Sequence, residues 1–404
     1  MSEVTHFGLV IAVASLVFSL AVLSNKVSER FAVPAPAIFL LAAALAARVF
    51  SSLGTALSVR DVERIAVLAL VAILFDGGMR VGWPRFRAAI VPITLLGVVG
   101  TFATAGLMTL AARALFGFSW TTAGLLGAAL APTDPAVMFS VLGRREVGGR
   151  TGTILEGESG VNDPVGIALM LGLLELATHE HATFWVVVRE FVVEMAVGIA
   201  IGVAGALLLI EAVRRIDLPN PALYPLRTLA ASGVIYGVAA VAHGSGFVAV
   251  FVAGIIVGGA DLPHKRDVER FHTSLASLAE IVVFVALGLT INNVHIGQSR
   301  VWLDALLLAL LLLFVARPAV VGSLLLPARL RRGERLFVMW SGLKGAVPIL
   351  LAAFALLEGV DDAERIYGIV FVLVGVTVLV QGATIPLAAR RLGVPMRSPS
   401  EGGA

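Results

Sequence analysis

Polar residues do not alternate with apolar ones along this chain; they gather in short clusters between long apolar runs. Hydropathy places the runs at approximately 5–24, 33–50, 62–79, 88–112, 120–142, 152–175, 184–213, 223–242, 246–260, 274–292, 302–326, 336–357 and 366–389. In hydrocarbon, a helix satisfies its own backbone polar groups, so such runs predict transmembrane helices. The pattern therefore predicts an all-α integral membrane protein of about 13 transmembrane helices. An odd number puts the termini on opposite sides. With the N-terminus outside, the inner loops collect Lys26, Arg30, Arg80, Arg85, Arg87, Arg144, Arg145, Arg150, Arg214, Arg215, Lys265, Arg266 and Arg270. Arg329, Arg331, Arg332, Arg335, Arg390, Arg391 and Arg397 follow, making 20 of the 30 basic residues. The outer loops and span ends keep Arg48, Arg60, Arg64, Arg113, Arg300 and Arg365. The bias predicts a multi-pass protein of the cell (inner) membrane, N-terminus outside and C-terminus cytoplasmic.

Composition agrees: 58% of the 404 residues are hydrophobic and only 14% charged. The 42 glycines suit helices that pack backbone to backbone. With no cysteine, disulfides, thiolate metal sites and cysteine nucleophiles are excluded. The net charge of +3 follows from the inner loops and gives no reason to expect a nucleic-acid partner. The opening "MSEVTHFGLVIAVASLVFSLAVLS" lacks a basic n-region and a clear cleavage site. It reads as a retained first transmembrane helix.

Two pairs of features recur at one offset. "ILFDGGM" ends the third span and "FVALGLT" the tenth, while "LAPTDPAV" interrupts the fifth and "SGLKGAVP" the twelfth. Both offsets equal seven spans, and an odd number of spans reverses orientation, so the halves read as inverted-topology repeats. Interrupted helices at matching positions of two such halves mark a secondary transporter with its site near the membrane midplane. Pro135, Pro164 and Pro348 lack an N–H and free the carbonyls of Ala131, Gly160 and Lys344. Unwound backbone at membrane depth must line a cavity or be buried in protein. Spans 5 and 12 are therefore expected to be two broken, crossing helices, with Asp134 at one break and Lys344 at the other.

"EGESGVNDPVGIAL" (156–169) places three carboxylates in the sixth span. On a helix, Glu156, Ser159 and Asp163 share one face, and Glu158 and Asn162 a neighbouring one. Each mid-membrane charge costs about 2.5–3.5 kcal/mol on insertion scales, so partners or a polar cavity are required. Arg317 and Lys344 are the bases at comparable depth; Asp76, Asp134, Glu156, Glu158, Asp163 and Glu280 outnumber them. The surplus favours ion or proton binding for Asp134 and Asp163. For Glu158 the expectation is an ion pair with Lys344 or Arg317. Glu280 and Glu156 are left unassigned.

"ESGVNDP", together with "PTDP", "FDGGM" and "GLKGAVP", resembles the cation:proton antiporter family of bacterial sodium/proton antiporters and animal sodium/proton exchangers. The branch of bacterial potassium/proton antiporters looks closest. The resemblance covers the whole chain in motif order and implies a membrane-embedded homodimer with no cofactor and no enzymatic activity. It implies an exchanger domain over 1–393 and a short cytoplasmic tail over 394–404, without the large cytoplasmic domains of many relatives. A core (roughly 62–175 and 274–389) would move against a dimerisation scaffold (roughly 5–50 and 184–260). Asp163 would be the ion- and proton-binding carboxylate, with Asn162 its neighbour and Thr133, Asp134, Ser159 and Asp76 accessory ligands. The monovalent cation would sit at Asp163, Asp134, Ser159 and Thr133, with Glu158 in the structural ion pair. Two departures stand out: Lys344 where much of the family has Arg, and Asp76 where some members have the longer Glu.

The chemistry fits. Na⁺ and K⁺ are hard cations that take oxygen ligands, and competition of H⁺ and cation for one carboxylate is an exchange mechanism. Asn162 in place of a second Asp leaves one fewer titratable group, which points to one-for-one, electroneutral exchange. A sodium-coupled carrier of an organic anion is the first alternative and would need further polar residues at the crossing. An intramembrane aspartyl protease would need a GxGD signature, which is absent. "THEHAT" (178–183) has no HExxH spacing and lies in a short outer loop, and no Walker A motif is present.

Overall fold

The computed structural model describes residues 33–50, 57–142, 146–179, 184–293 and 299–397, with scattered positions between 8 and 26. In chain order the helices are α1 Ala35–Val49, α2 Val59–Ala88, α3 Ile90–Phe116, α4 Trp120–Leu130, α5 Pro135–Leu142, α6 Gly149–Thr178 and α7 Phe184–Arg215. There follow α8 Leu223–Val241, α9 Gly246–Gly259, α10 Lys265–Leu289, α11 Arg300–Leu324, α12 Arg332–Trp340, α13 Ala346–Leu357 and α14 Ala363–Arg391. Among the described residues the only strands are β1 Glu146–Val147 and β2 Met396–Arg397, one antiparallel pair. Among the described residues seven helices are long and apolar enough to cross a membrane, and α1, α4, α9 and α13 are shorter apolar ones.

Every predicted span from the second onward coincides with a helix or, at 120–142 and 336–357, with a broken pair. The first lies largely outside the described residues, so the count of 13 is not reached among them. Serine starts several helices. Ser58 and Asp61 form a reciprocal capping box on α2, and the hydroxyls of Ser119 and Ser245 accept from the N–H groups of Thr122 and Val248 at the heads of α4 and α9. α2 runs past the predicted end at 79 but bends at Gly82, whose φ of 62° suits a residue without a Cβ.

The packing carries the repeat. Gly78 of α2 abuts the α9 backbone so closely that a Cβ there would strike Phe251, Gly254 and Ile255. Seven spans later, Gly288 of α10 abuts Leu40, Ala43 and Ala44 of α1. The third span thus packs on the ninth and the tenth on the second, the exchange of partners that a two-fold relation between halves requires. π-helical turns at Leu95–Gly100 in α3 and Leu312–Ala316 in α11 form another matched pair. Small residues at these seams let dispersion and backbone contact hold the bundle where lipid offers no hydrophobic contrast.

Candidate ion-binding site

The two breaks meet. Residues 131–134 and 341–345 leave the helical path, and across the crossing the Asp134 N–H donates to the Leu343 carbonyl at 2.9 Å. Lys344 is almost fully buried, and its Nζ donates to the carbonyls of Ala131 (2.9 Å) and Pro132 (2.8 Å). Pro135 denies Ala131 its helical partner, and the ammonium takes the N–H's place. Lys344 thus offsets the negative C-terminal end of α4, while the Asp134 carboxyl lies against Gly345 at the positive N-terminal end of α13. Both glycines of "GLKG" are needed for approach: a Cβ on Gly342 would strike the Arg317 guanidinium, and one on Gly345 the Asp134 carboxyl.

This corrects the expectation for Lys344, which bonds backbone and not the Glu158 carboxylate. Glu158 pairs with Arg317 through two bonds, Nη1–Oε1 at 2.5 Å and Nη2–Oε2 at 3.1 Å, and Nη2 also donates to the Val338 carbonyl at 3.3 Å. Both side chains are buried. The planar fork of Arg matches a carboxylate in a way an ammonium cannot, which leaves Lys free to serve two carbonyls.

α6 passes the crossing as a continuous helix, with Pro164 inside it. Asn162 turns toward the break, donating from Nδ2 to the Thr133 hydroxyl (2.7 Å) and accepting the Thr133 N–H on Oδ1 (3.4 Å). Asp163 points to a cavity of about 400 Å³. It is only 6% exposed, and its Oδ1 is buried without a hydrogen-bond partner among the described residues. Asp134, Ser159, Glu156, Asp76, Arg80 and Glu280 line the same cavity.

The structure thus brings Asp163, Asp134, Ser159 and Asp76 to one cavity, while Thr133 and Asn162 stand beside it, bonded to each other. Asp76 has its oxygens engaged, one by Arg80 Nε at 2.7 Å and the other by Thr273 Oγ1 at 3.1 Å. Arg80 and Thr273 were missed as site residues. The spacing of Asp76 and Arg80 by one helical turn was a usable signal, hidden because the apolar run ends at 79.

Inverted halves, broken helices crossing at a buried ammonium, and an unsatisfied buried carboxylate on a charged cavity define an ion-coupled secondary transporter. The family model described as "Sodium/hydrogen exchanger, transmembrane" matches residues 9–391, and the chain belongs to that family, one of cation/proton antiporters. It is 36% identical to the K(+)/H(+) antiporter NhaP of Alkalimonas amylolytica, over 97% of this chain and 68% of that protein. It is 32% identical to the K(+)/H(+) antiporter NhaP2 of Shewanella sp. (strain ANA-3), over 94% and 66%. The chain thus spans about two thirds of the length of these relatives. The fold is that of the sodium proton antiporter MjNhaP1 from Methanocaldococcus jannaschii, with a TM-score of 0.78 at 21% identity, covering 96% of this chain and 99% of that one.

Proposed function

We propose that this protein exchanges a monovalent cation, Na⁺ or K⁺, for H⁺ at Asp163, with Asp134 and Ser159 as further oxygen ligands. The observation that carries the reading is the buried, unpartnered Oδ1 of Asp163 on the charged cavity. A bare carboxylate is costly to move through a low-dielectric barrier, and a bound proton or cation removes that cost. The core therefore crosses only when loaded, and the two ligands, competing for one group, exchange. Asn162 and Thr133 hold the break in register and add no charge, so both loaded forms cross alike and exchange is one-for-one and electroneutral. Glu158 and Arg317 are structural, and no cofactor takes part.

The cavity is lined by the start of α1, the Asp76–Arg80 turn of α2, α5, the first half of α6 and the middle of α10. These ends adjoin the basic loops, which supports reading the cavity as open to the cytoplasm, with the N-terminus outside. The exposed apolar residues Val192, Leu207 and Leu208 of α7 suit a scaffold that meets lipid or a second copy. An organic-anion carrier is disfavoured, because the cavity presents five carboxylates and one guanidinium, itself bonded to Asp76.

The test is cation-driven proton flux in proteoliposomes held at a clamped potential. Asp163→Asn is expected to abolish flux while keeping a wild-type melting profile, and wild-type flux is expected to ignore the imposed voltage. Flux in Asp163→Asn would refute the site assignment. A steep voltage dependence would refute electroneutrality.

A further inference from the structure

Glu280 is a carboxylate of the cavity wall that the mechanism above does not use. Glu280, on α10, lines the cavity with one turn of helix separating it from Ser277, which lines it too. Its Oε1 is shut away from water and has no hydrogen-bond partner among the described residues. An ionised oxygen in that position must be neutralised by a ligand, or the group is held protonated. Asp134 and Arg80 line the same cavity. Arg80 bonds Asp76, and among the described residues no base forms an ion pair with Glu280. The other charged groups facing the cavity are Glu156 and Asp163 on α6. The Lys344 ammonium, at the break, is given over to Ala131 and Pro132.

Asp134 lines the same cavity as Asp163. It is therefore the charged neighbour common to two carboxylates on different helices, Asp163 of α6 and Glu280 of α10. Ser140 and Ser277 add hydroxyl oxygens to the same wall. Such a set of hard oxygen donors without thiols or imidazoles suits an alkali cation.

We propose that Glu280, together with Asp134, forms a second monovalent-cation site in the cavity, from which the ion passes to Asp163 while Asp134 remains a ligand throughout. The inference rests on the exchange reading. Handing over through a shared ligand avoids full rehydration between sites, as neighbouring sites do in conducting pores. Exchange at Asp163 keeps its stoichiometry, because the cation at Glu280 is in transit.

The test compares wild type, Glu280→Gln and Glu280→Asp, with K⁺ and Na⁺ each as the probe. Gln keeps the shape of a protonated Glu and removes its charge. In everted vesicles, Glu280→Gln is expected to raise the half-saturating cation concentration severalfold, with a much smaller change in rate at saturation, and Glu280→Asp to fall between. In detergent, the rise in Tm on adding cation to the purified chain is expected to shrink in Glu280→Gln, since stabilisation by a ligand follows its affinity. Equal half-saturation and equal cation-induced melting shifts in wild type and Glu280→Gln would overturn the site and mark Glu280 as a permanently protonated, structural group. If Glu280→Gln yields no folded protein, a folded Glu280→Asp with wild-type half-saturation overturns it instead. Absence of wild-type flux would overturn the exchange reading alone, because the melting shifts report cation binding without transport.

Discussion

At the scale of single residues, charge inside apolar sequence is the legible signal. Asp134, Glu158, Asp163, Arg317 and Lys344 are visible because each mid-membrane charge must be compensated. Their partners are less visible. Lys344 looks like a base in search of a carboxylate, yet its partners are two carbonyls that exist as free acceptors only because α4 stops at Leu130. No side-chain inventory lists a backbone group. Asp76 hides its partner for another reason, since Arg80 lies beyond the end of the apolar run and reads as a loop charge. Lys344→Met is therefore expected to destabilise the protein by ~3 kcal/mol, because hydrogen bonds to a charged donor are worth about 1.5–3 kcal/mol each and two carbonyls are left unpaired. Thermal melting in detergent measures it. An unchanged Tm would mean that water replaces the ammonium at the break.

At the scale of elements, spans 5 and 12 break as expected, while the sixth span carries its proline without a break. The break after α4 has Pro132 and Pro135 within four residues, and the break before α13 has Gly342 and Gly345, with Pro348 in the first turn of α13. Each of these stretches loses several helical bonds or helical preferences together. α6 carries Pro164 alone, and a single interruption costs ~3 kcal/mol. Burial offsets it: Gly160 of α6 lies directly under the Phe251 ring, and Gly166 against Pro132. The Glu158–Arg317 pair ties α6 to α11 by the same logic of mutual dependence. Removing one partner leaves a buried charge alone and is expected to cost about 3–5 kcal/mol, whereas replacing both by neutral residues of similar size should cost much less. The prediction for Glu158→Gln, Arg317→Met and the double variant is a strongly non-additive cycle in Tm. Additive losses would show that the two side chains are held by other contacts.

At the scale of the whole molecule, repeat and cavity combine into an exchanger's architecture. The inverted relation is legible in paired motifs, and the Gly78 and Gly288 seams give it a physical basis. What the sequence could not show is where water reaches. The cavity on the basic side ends at Leu70, Asp163 and Phe251, while cavities on the other side are lined by Val67, Ile167 and Phe247. On α6 and α9 the two sets differ by four residues, one helical turn or about 5 Å. This thin apolar wall stands directly beyond Asp163, so in the proposed exchange a small displacement of α6 against α9 would change the side from which the carboxylate is reached. Long-range placement of this kind depends on the packing of helices far apart in sequence, and hydropathy carries no record of it.

The central claim is that H⁺ and cation compete for Asp163. Its most direct test is the dependence of exchange on cation concentration at a series of pH values in proteoliposomes of the wild-type chain. Protons that occupy the carboxylate exclude the cation, so lowering the pH on the acid side must raise the half-saturating cation concentration by about tenfold per pH unit, with the rate at saturating cation unchanged. A maximal rate that falls with pH while half-saturation stays constant would show that protons act at a separate group, and would contradict the account.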